Sequence, residues 1–125
     1  MVIAVDFDGT IVTHEYPKIG KEIPFAIETL LALQNCKEHH QIILWTVREG
    51  QLLQEAVDYC HKKGLDFYAI NKNHPDDDDT LQPRKIAADI YIDDHNFGGL
   101  PDWGVIYQKI TQENLKPKKK RFLFF

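Results

Sequence analysis

Three polar residues stand immediately after short apolar runs that are rich in β-branched side chains. They are Asp6, Thr46 and Asp93. Apolar runs of this kind predict strands that are buried on both faces of a parallel sheet. Ligands of an open parallel sheet bind outside the carboxyl ends of its strands. We therefore expect these three residues to meet at one edge of a sheet, although they lie far apart in the sequence.

The residue types indicate chemistry on a phosphate ester. Asp6 and Asp93 supply hard, anionic oxygens of the kind that bind Mg²⁺. A carboxylate beside this cation stays ionised near neutral pH, and carboxylates can attack phosphorus. Asp8, two residues after Asp6, could protonate the leaving oxygen in its neutral form and later deprotonate the attacking water. We therefore predict Asp6 as nucleophile and Asp8 as acid and base.

Further residues are candidates for binding the phosphoryl group. Thr10 and Thr46 offer hydroxyl groups, and either Lys85 or Arg84 could neutralise charge in the transition state. Arg48 either contacts the substrate or forms a salt bridge with a helix carboxylate. An isolated Asp-x-Asp is most simply a turn or a cap. Three polar strand ends in one sheet favour a site instead.

Predicted strands and helices alternate through the chain, which indicates an α/β fold with a parallel sheet and helices on both faces. Its crossovers should be right-handed. The predicted strands cover 2–5, 41–45, 67–70 and 90–92, and the predicted helices cover about 24–36, 49–63 and 102–114, with a short helix at 84–88.

Composition is that of one globular domain. The chain has 125 residues, 43% of them apolar and 27% charged, and a net charge of −4, which does not favour nucleic acid or a membrane. The two cysteines, Cys36 and Cys60, show no CxxC pattern. We expect both to be reduced packing residues of a cytoplasmic protein, with no signal peptide and no membrane-spanning helix. Residues 1–115 form the predicted domain, and 116–125 a basic and aromatic tail.

Residues 5–11, Val-Asp-Phe-Asp-Gly-Thr-Ile, resemble the first motif of the haloacid-dehalogenase-like (HAD) phosphatases. Residues 44–46 are similar to the second motif, Lys85 to the third and residues 92–94 to the fourth. The resemblance implies a three-layer Rossmann-like fold and an aspartyl-phosphate intermediate on Asp6. It also implies Mg²⁺ bound by Asp6, the Asp8 carbonyl and Asp93, with phosphate contacts from Thr46 and Lys85. Asp94 is expected in the second shell or as a water-mediated ligand.

The spacing of these motifs leaves no room for a separate cap domain. Positions 11–45 and 47–84 are each largely used by one helix and one strand, so we expect an open site. Such a site permits large substrates as well as small ones, and a small phosphorylated substrate is the first expectation. Residues 46–49 and 92–94 also resemble the phosphatase domain of phage polynucleotide kinase, which leaves a 3′-phosphatase of nucleic acid ends as an alternative. A catalytically silent binding module and phosphotransfer to another acceptor are further alternatives, and a homo-oligomer is compatible with the open site.

Overall fold

The structure, a computed structural model, describes residues 1–80 and 85–112. These residues form four strands and three helices in an alternating order. Arg84 and the tail at 116–125, for which the sequence makes predictions, lie outside the described residues. The elements are β1 (Val2–Val5), α1 (Ala26–Asn35), β2 (Gln41–Leu44), α2 (Gly50–Lys62), β3 (Ala69–Ile70), β4 (Ile90–Ile92) and α3 (Trp103–Thr111).

The four strands form one parallel sheet in the order β3-β2-β1-β4. The last residue of β1, Val5, is in register with Leu44 of β2 and with Ile92 of β4. The three strands therefore end at one level. The chain runs outward from β1 through β2 to β3 and then places β4 on the other side of β1. The boundary between β1 and β4 is thus a topological switch point, where ligands of open α/β sheets bind.

All three helices pack against the same face of the sheet. Ile3 of β1 and Ile42 of β2 point into a buried cluster that also receives Leu30 of α1, Cys60 of α2 and Trp103 of α3. Two consecutive right-handed crossovers in one direction place α1 and α2 on one side of the sheet. The predicted three-layer arrangement with helices on both faces is therefore wrong for residues 1–80 and 85–112.

The second face of the sheet is covered by irregular chain. Ala4, Ile43 and Ala69 point to this side and pack against Ile86, from the connection between β3 and β4. The predicted short helix at 84–88 does not form over 85–88. The backbone N–H of Ala87 donates to the side chain of Asn73 instead of to a helical carbonyl. Because this connection runs back across the sheet, a right-handed crossover places it on the second face.

The remaining element bounds follow the predictions to within a few residues. Helix α1 begins at Ala26 because Phe25 has left-handed backbone angles, with a φ of 67°. Helix α3 begins after Asp102, whose carboxylate accepts a hydrogen bond from the N–H of Gly104 and so caps the helix. Both cysteines are free thiols, and Cys60 is in the core.

Within the described residues, no helix combines the length and the apolar character that crossing a membrane requires.

Candidate active site

A tight loop follows β1 and carries the residues of the first motif. The carbonyl of Phe7 accepts hydrogen bonds from the N–H groups of Thr10 and Ile11, and the N–H of Gly9 donates to Val12. Gly9 has a φ of +85°, and a Cβ at this position would lie 2.3 Å from Oδ2 of Asp94. A glycine is therefore needed here because it both adopts the left-handed angle and lets Asp94 approach the loop.

Three carboxylates meet where β1 and β4 end. Asp6, Asp93 and Asp94 each offer an oxygen, and these atoms all lie within 4.8 Å of one another. The Thr10 hydroxyl is 3.2 Å from Oδ2 of Asp6 and 3.2 Å from Oδ1 of Asp94, and it accepts a hydrogen bond from the Asp94 N–H. Thr10, predicted to bind phosphate, thus links the two strand ends. Asp94 belongs to the same cluster of carboxylates as Asp93. The sequence predicted a more distant position for Asp94, either behind the metal ligands or bound to the metal through water.

The carboxylates of Asp6, Asp93 and Asp94 lie together in a small space, so they affect the ionisation of one another. Burial raises the pKa of Asp6 to about 7, with a further contribution from the nearby charge of Asp93. The N–H of Phe7 opposes that rise. Hard, anionic oxygens that repel one another at the end of a sheet fit a small divalent cation such as Mg²⁺. Asp6, Asp93 and Asp94 are the side chains that would hold it.

Asp8 is in a different environment, although it lies only two residues from Asp6. Its two oxygens accept hydrogen bonds from Arg48, at 2.7 Å from Nε and 2.8 Å from the terminal nitrogen Nη2. The Arg48 side chain is fully buried, and its remaining donors bind the carbonyls of Leu52 and Lys18. Hydrogen bonding to Asp8 raises the pKa of Arg48 further. Bidentate geometry and burial make this a strong charge-assisted pair.

This pair bears on the predictions for Arg48 and for Asp8. Arg48 does not face the open site, because its guanidinium is buried and bound to Asp8, and it does not pair with a helix carboxylate. Both oxygens of Asp8 accept hydrogen bonds from Arg48, a contact that the sequence did not predict, and the role of Asp8 as acid and base stays a prediction. A buried guanidinium needs an anionic partner with two acceptors, and Asp8 supplies both. Arg48 therefore positions Asp8.

Asp6 and Asp93 line two adjoining cavities of about 270 Å³ each. The first also contains Asp8 and three aromatic or imidazole side chains, those of His14, Tyr16 and His95. The second contains Lys85, whose ammonium group lies 5.1 Å from the centre of the Tyr91 ring. Lys85 therefore shares a cavity with the carboxylates, as the predicted phosphate-neutralising cation should.

Thr46 is placed beside these cavities. It lines a larger cavity of about 670 Å³, together with its neighbours Trp45 and Val47. Its hydroxyl accepts a hydrogen bond from the Arg48 N–H, and its own N–H donates to the Asn71 side chain. Trp45 also lines the cavity of Lys85, and Val47 that of Asp8. A phosphoryl contact from Thr46 stays a prediction.

Two residues with structural roles at the site were missed in the sequence. Trp103 donates its indole N–H to the carbonyl of Thr10 at 2.9 Å and so anchors the loop. No local pattern indicates that contact. Asn71 follows β3 directly and has a φ of 54°. It obeys the strand-end pattern that identified Asp6 and Thr46, so the same argument could have found it.

No family model and no curated protein matches the chain. A solved structure, described as that of the conserved protein coded by locus from Bacteroides thetaiotaomicron, is similar to it at a TM-score of 0.81. The two chains are 59% identical, and the match covers 88% of each. Identity of this level over most of both chains shows common ancestry. The chain therefore belongs to the same family as this conserved protein of Bacteroides thetaiotaomicron.

Proposed function

We propose that this protein is a Mg²⁺-dependent phosphomonoesterase of the HAD-like type, with Asp6 as its nucleophile. The observation that carries the proposal is the convergence of Asp6, Asp93 and Asp94 within 4.8 Å at the β1–β4 switch point. Burying mutually repelling carboxylates is unfavourable without a cation. The position of Lys85 in the same cavity supports an anionic substrate. The resemblance of residues 5–11 to the first HAD motif is independent support.

Two displacement steps account for the reaction. A carboxylate oxygen of Asp6 attacks phosphorus, the bond from phosphorus to the leaving oxygen breaks, and an aspartyl phosphate forms. Water then attacks phosphorus, the bond to Asp6 breaks, and inorganic phosphate is released. The leaving oxygen takes up one proton from solvent in the first step, and the attacking water gives one proton to a general base in the second.

Asp8 is the residue proposed for that proton. It lines the same cavity as Asp6, and Arg48 fixes its orientation. Arg48 donates to both oxygens of Asp8, so these oxygens act as acceptors, and an acceptor oxygen suits removal of a proton from water. Lys85 would stabilise charge on the phosphoryl oxygens. A bound Mg²⁺ would neutralise further phosphoryl charge and keep Asp6 ionised.

The test is hydrolysis of p-nitrophenyl phosphate with and without Mg²⁺. We expect activity that EDTA abolishes, and a loss of at least about a thousandfold in Asp6→Asn, because the amide is not a nucleophile for phosphorus. Asp58→Asn is the matched control, since Asp58 is an exposed carboxylate on α2. Full activity in Asp6→Asn, or activity that is indifferent to Mg²⁺, would refute the proposal. Trapping of phosphate on Asp6 in mass spectra would identify the intermediate.

A further inference from the structure

Each of the two phosphoryl cavities is slightly smaller than the pockets that usually hold organic ligands. Each has a volume of about 270 Å³, and the space beside Asp6 must accept the phosphoryl group and a cation. Pockets for organic ligands commonly measure about 300–1,000 Å³. A leaving group that exceeds this space would extend into a neighbouring cavity, and one of about 670 Å³ lies on the other side of residues 45–47.

The large cavity borders both phosphoryl cavities. Trp45 lines it together with the cavity of Lys85, and Val47 lines it together with the cavity of Asp8. Val47 is 87% exposed, so its apolar side chain is presented to solvent at the boundary. Residues 45–47 thus form a shared wall between the proposed nucleophile and the large cavity. An ester bound at Asp6 can place its organic part across this wall.

The composition of the large cavity indicates what that organic part is. Its wall includes three aromatic residues, Trp45, Phe67 and Tyr68. Aromatic faces favour flat, unsaturated ligands, and stacking on them tolerates different ring systems. Asn71 and Thr46 add polar groups that can fix orientation. This combination suits a leaving group that joins a planar ring to a polar part.

The charges lining the large cavity argue against a second phosphate. Among the residues that the structure describes, two cations line it: Arg48 is bound to Asp8, and Lys72 is paired with Asp79 at 2.7 Å. The remaining charged side chain apart from Arg48, which is bound to Asp8, is the carboxylate of Glu49. An anionic leaving group would therefore meet net repulsion. A neutral leaving group would not, so the cavity favours esters with a single phosphate.

We infer that the large cavity binds the nucleoside-sized, aromatic leaving group of a phosphate monoester, so that the substrate class is a mononucleotide or a close analogue. The inference rests on the proposed function, because it assumes that the phosphoryl group lies at Asp6. It names Tyr68 and Trp45 as specificity-determining residues. Small aliphatic phosphates would occupy only the cavities beside Asp6.

The test measures binding, so that it does not depend on turnover. In the Asp6→Asn protein with Mg²⁺, titration calorimetry should show adenosine monophosphate binding at least about tenfold more tightly than glycerol phosphate. Tyr68→Ala should weaken the nucleotide about tenfold and leave glycerol phosphate within about twofold. Tyr68→Phe should retain nucleotide binding, and Tyr107→Ala, on α3, is the control. Equal affinities for the two phosphates, or equal losses of both in Tyr68→Ala, would overturn the inference.

A second measurement avoids substitutions in the cavity. The chain contains two tryptophans, Trp45 in the wall of the cavity and Trp103 in the core. Adenosine, which lacks phosphate, should shift the indole NMR signal of Trp45 and leave that of Trp103 unchanged. Absence of a Trp45 shift at saturating adenosine would overturn the inference. If the natural protein did not hydrolyse p-nitrophenyl phosphate but still bound the nucleotide, the proposed function would be contradicted and the inference on the large cavity would not. The two failures are therefore distinguishable.

Discussion

Asp6 and Asp8 lie two residues apart on one loop but are in opposite electrostatic environments. Asp8 is bound at both oxygens by the buried guanidinium of Arg48. Asp6 faces two further carboxylates, Asp93 and Asp94. Among residues 1–80 and 85–112, no lysine or arginine forms an ion pair with Asp6 or Asp93. Asp8 therefore has its countercharge within the chain, whereas the carboxylates around Asp6 receive none from a lysine or arginine among these residues.

The difference separates stability from function. A buried bidentate pair holds a loop in place, and removing one partner leaves an uncompensated charge. A cluster of like charges destabilises the fold that carries it, and such clusters are found where a ligand supplies the missing charge. Each of the following substitutions tests one side of this contrast.

The largest effect is expected for Arg48→Leu. Removing the guanidinium leaves Asp8 buried without its partner, so the free energy of unfolding should fall by about 3–5 kcal/mol in urea denaturation. The double variant Arg48→Leu/Asp8→Leu should recover part of that loss, since no charge is then buried. Lys63→Leu breaks an exposed pair with Glu22 and should leave the urea midpoint nearly unchanged. A similar midpoint for Arg48→Leu and Lys63→Leu would contradict the structural role of the buried pair.

The second largest effect is expected for Gly9→Ala. The substitution combines a left-handed φ of +85° with a Cβ that would lie 2.3 Å from Asp94, so we expect a loss of about 2 kcal/mol and weaker stabilisation by Mg²⁺. Gly64→Ala is the matched control, because Gly64 has a φ of +89° and open space around its Cβ position. It should show the backbone cost alone, about 1 kcal/mol. If both variants lose the same stability and respond equally to Mg²⁺, the Asp94 contact at Gly9 is unimportant.

Asp6→Asn should stabilise the protein when metal is removed with EDTA. The pKa of Asp6 is raised from 3.8 to about 7, so the native state holds a proton that the unfolded state releases. Stability of the natural protein therefore falls as pH rises from about 4 to about 7. After allowance for solvent screening, the asparagine variant should be more stable by about 1–2 kcal/mol near pH 8 and equal near pH 4. Thermal unfolding at the two pH values measures this.

Added Mg²⁺ should reverse that order, because the natural protein offers the cation three carboxylates and the variant only two, so Mg²⁺ stabilises the natural protein more. A variant that is less stable than the natural protein in EDTA near pH 8 would show that the carboxylate cluster is already compensated within the chain.

The smallest effect is expected for His95→Asn. Among the described residues, His95 is the basic side chain that pairs with the cluster, with its Nε2 3.6 Å from Oδ2 of Asp94, but it is largely exposed. An exposed pair at this distance contributes little. The thermal midpoint in EDTA should therefore change by no more than the experimental error at both pH values. A clear, pH-dependent loss would identify His95 as the compensating charge and would weaken the contrast with Asp8.

The sequence by itself determined the sheet and the principal positions at its edge. The apolar runs before Asp6, Thr46 and Asp93 predicted three of the strands, because burial on both faces demands continuous apolar residues. Parallel pairing then brings strand ends together, so the convergence of Asp6 and Asp93 followed from local patterns alone. The positions of Cys60 in the core and of Lys85 beside the carboxylates agree with the same reasoning.

Only the tertiary structure decided which charges are paired. The Arg48–Asp8 contact joins residues 40 positions apart, and the Thr10–Asp94 contact joins residues 84 positions apart. Such partners depend on where loops meet after the sheet has formed, and no periodicity records them. The placement of all three helices on one face likewise depends on the direction of each crossover. Local patterns locate the strand ends, but the loops that fold around Asp6 and Asp8 decide that Asp8 is paired with Arg48 and that Asp6 faces Asp93 and Asp94.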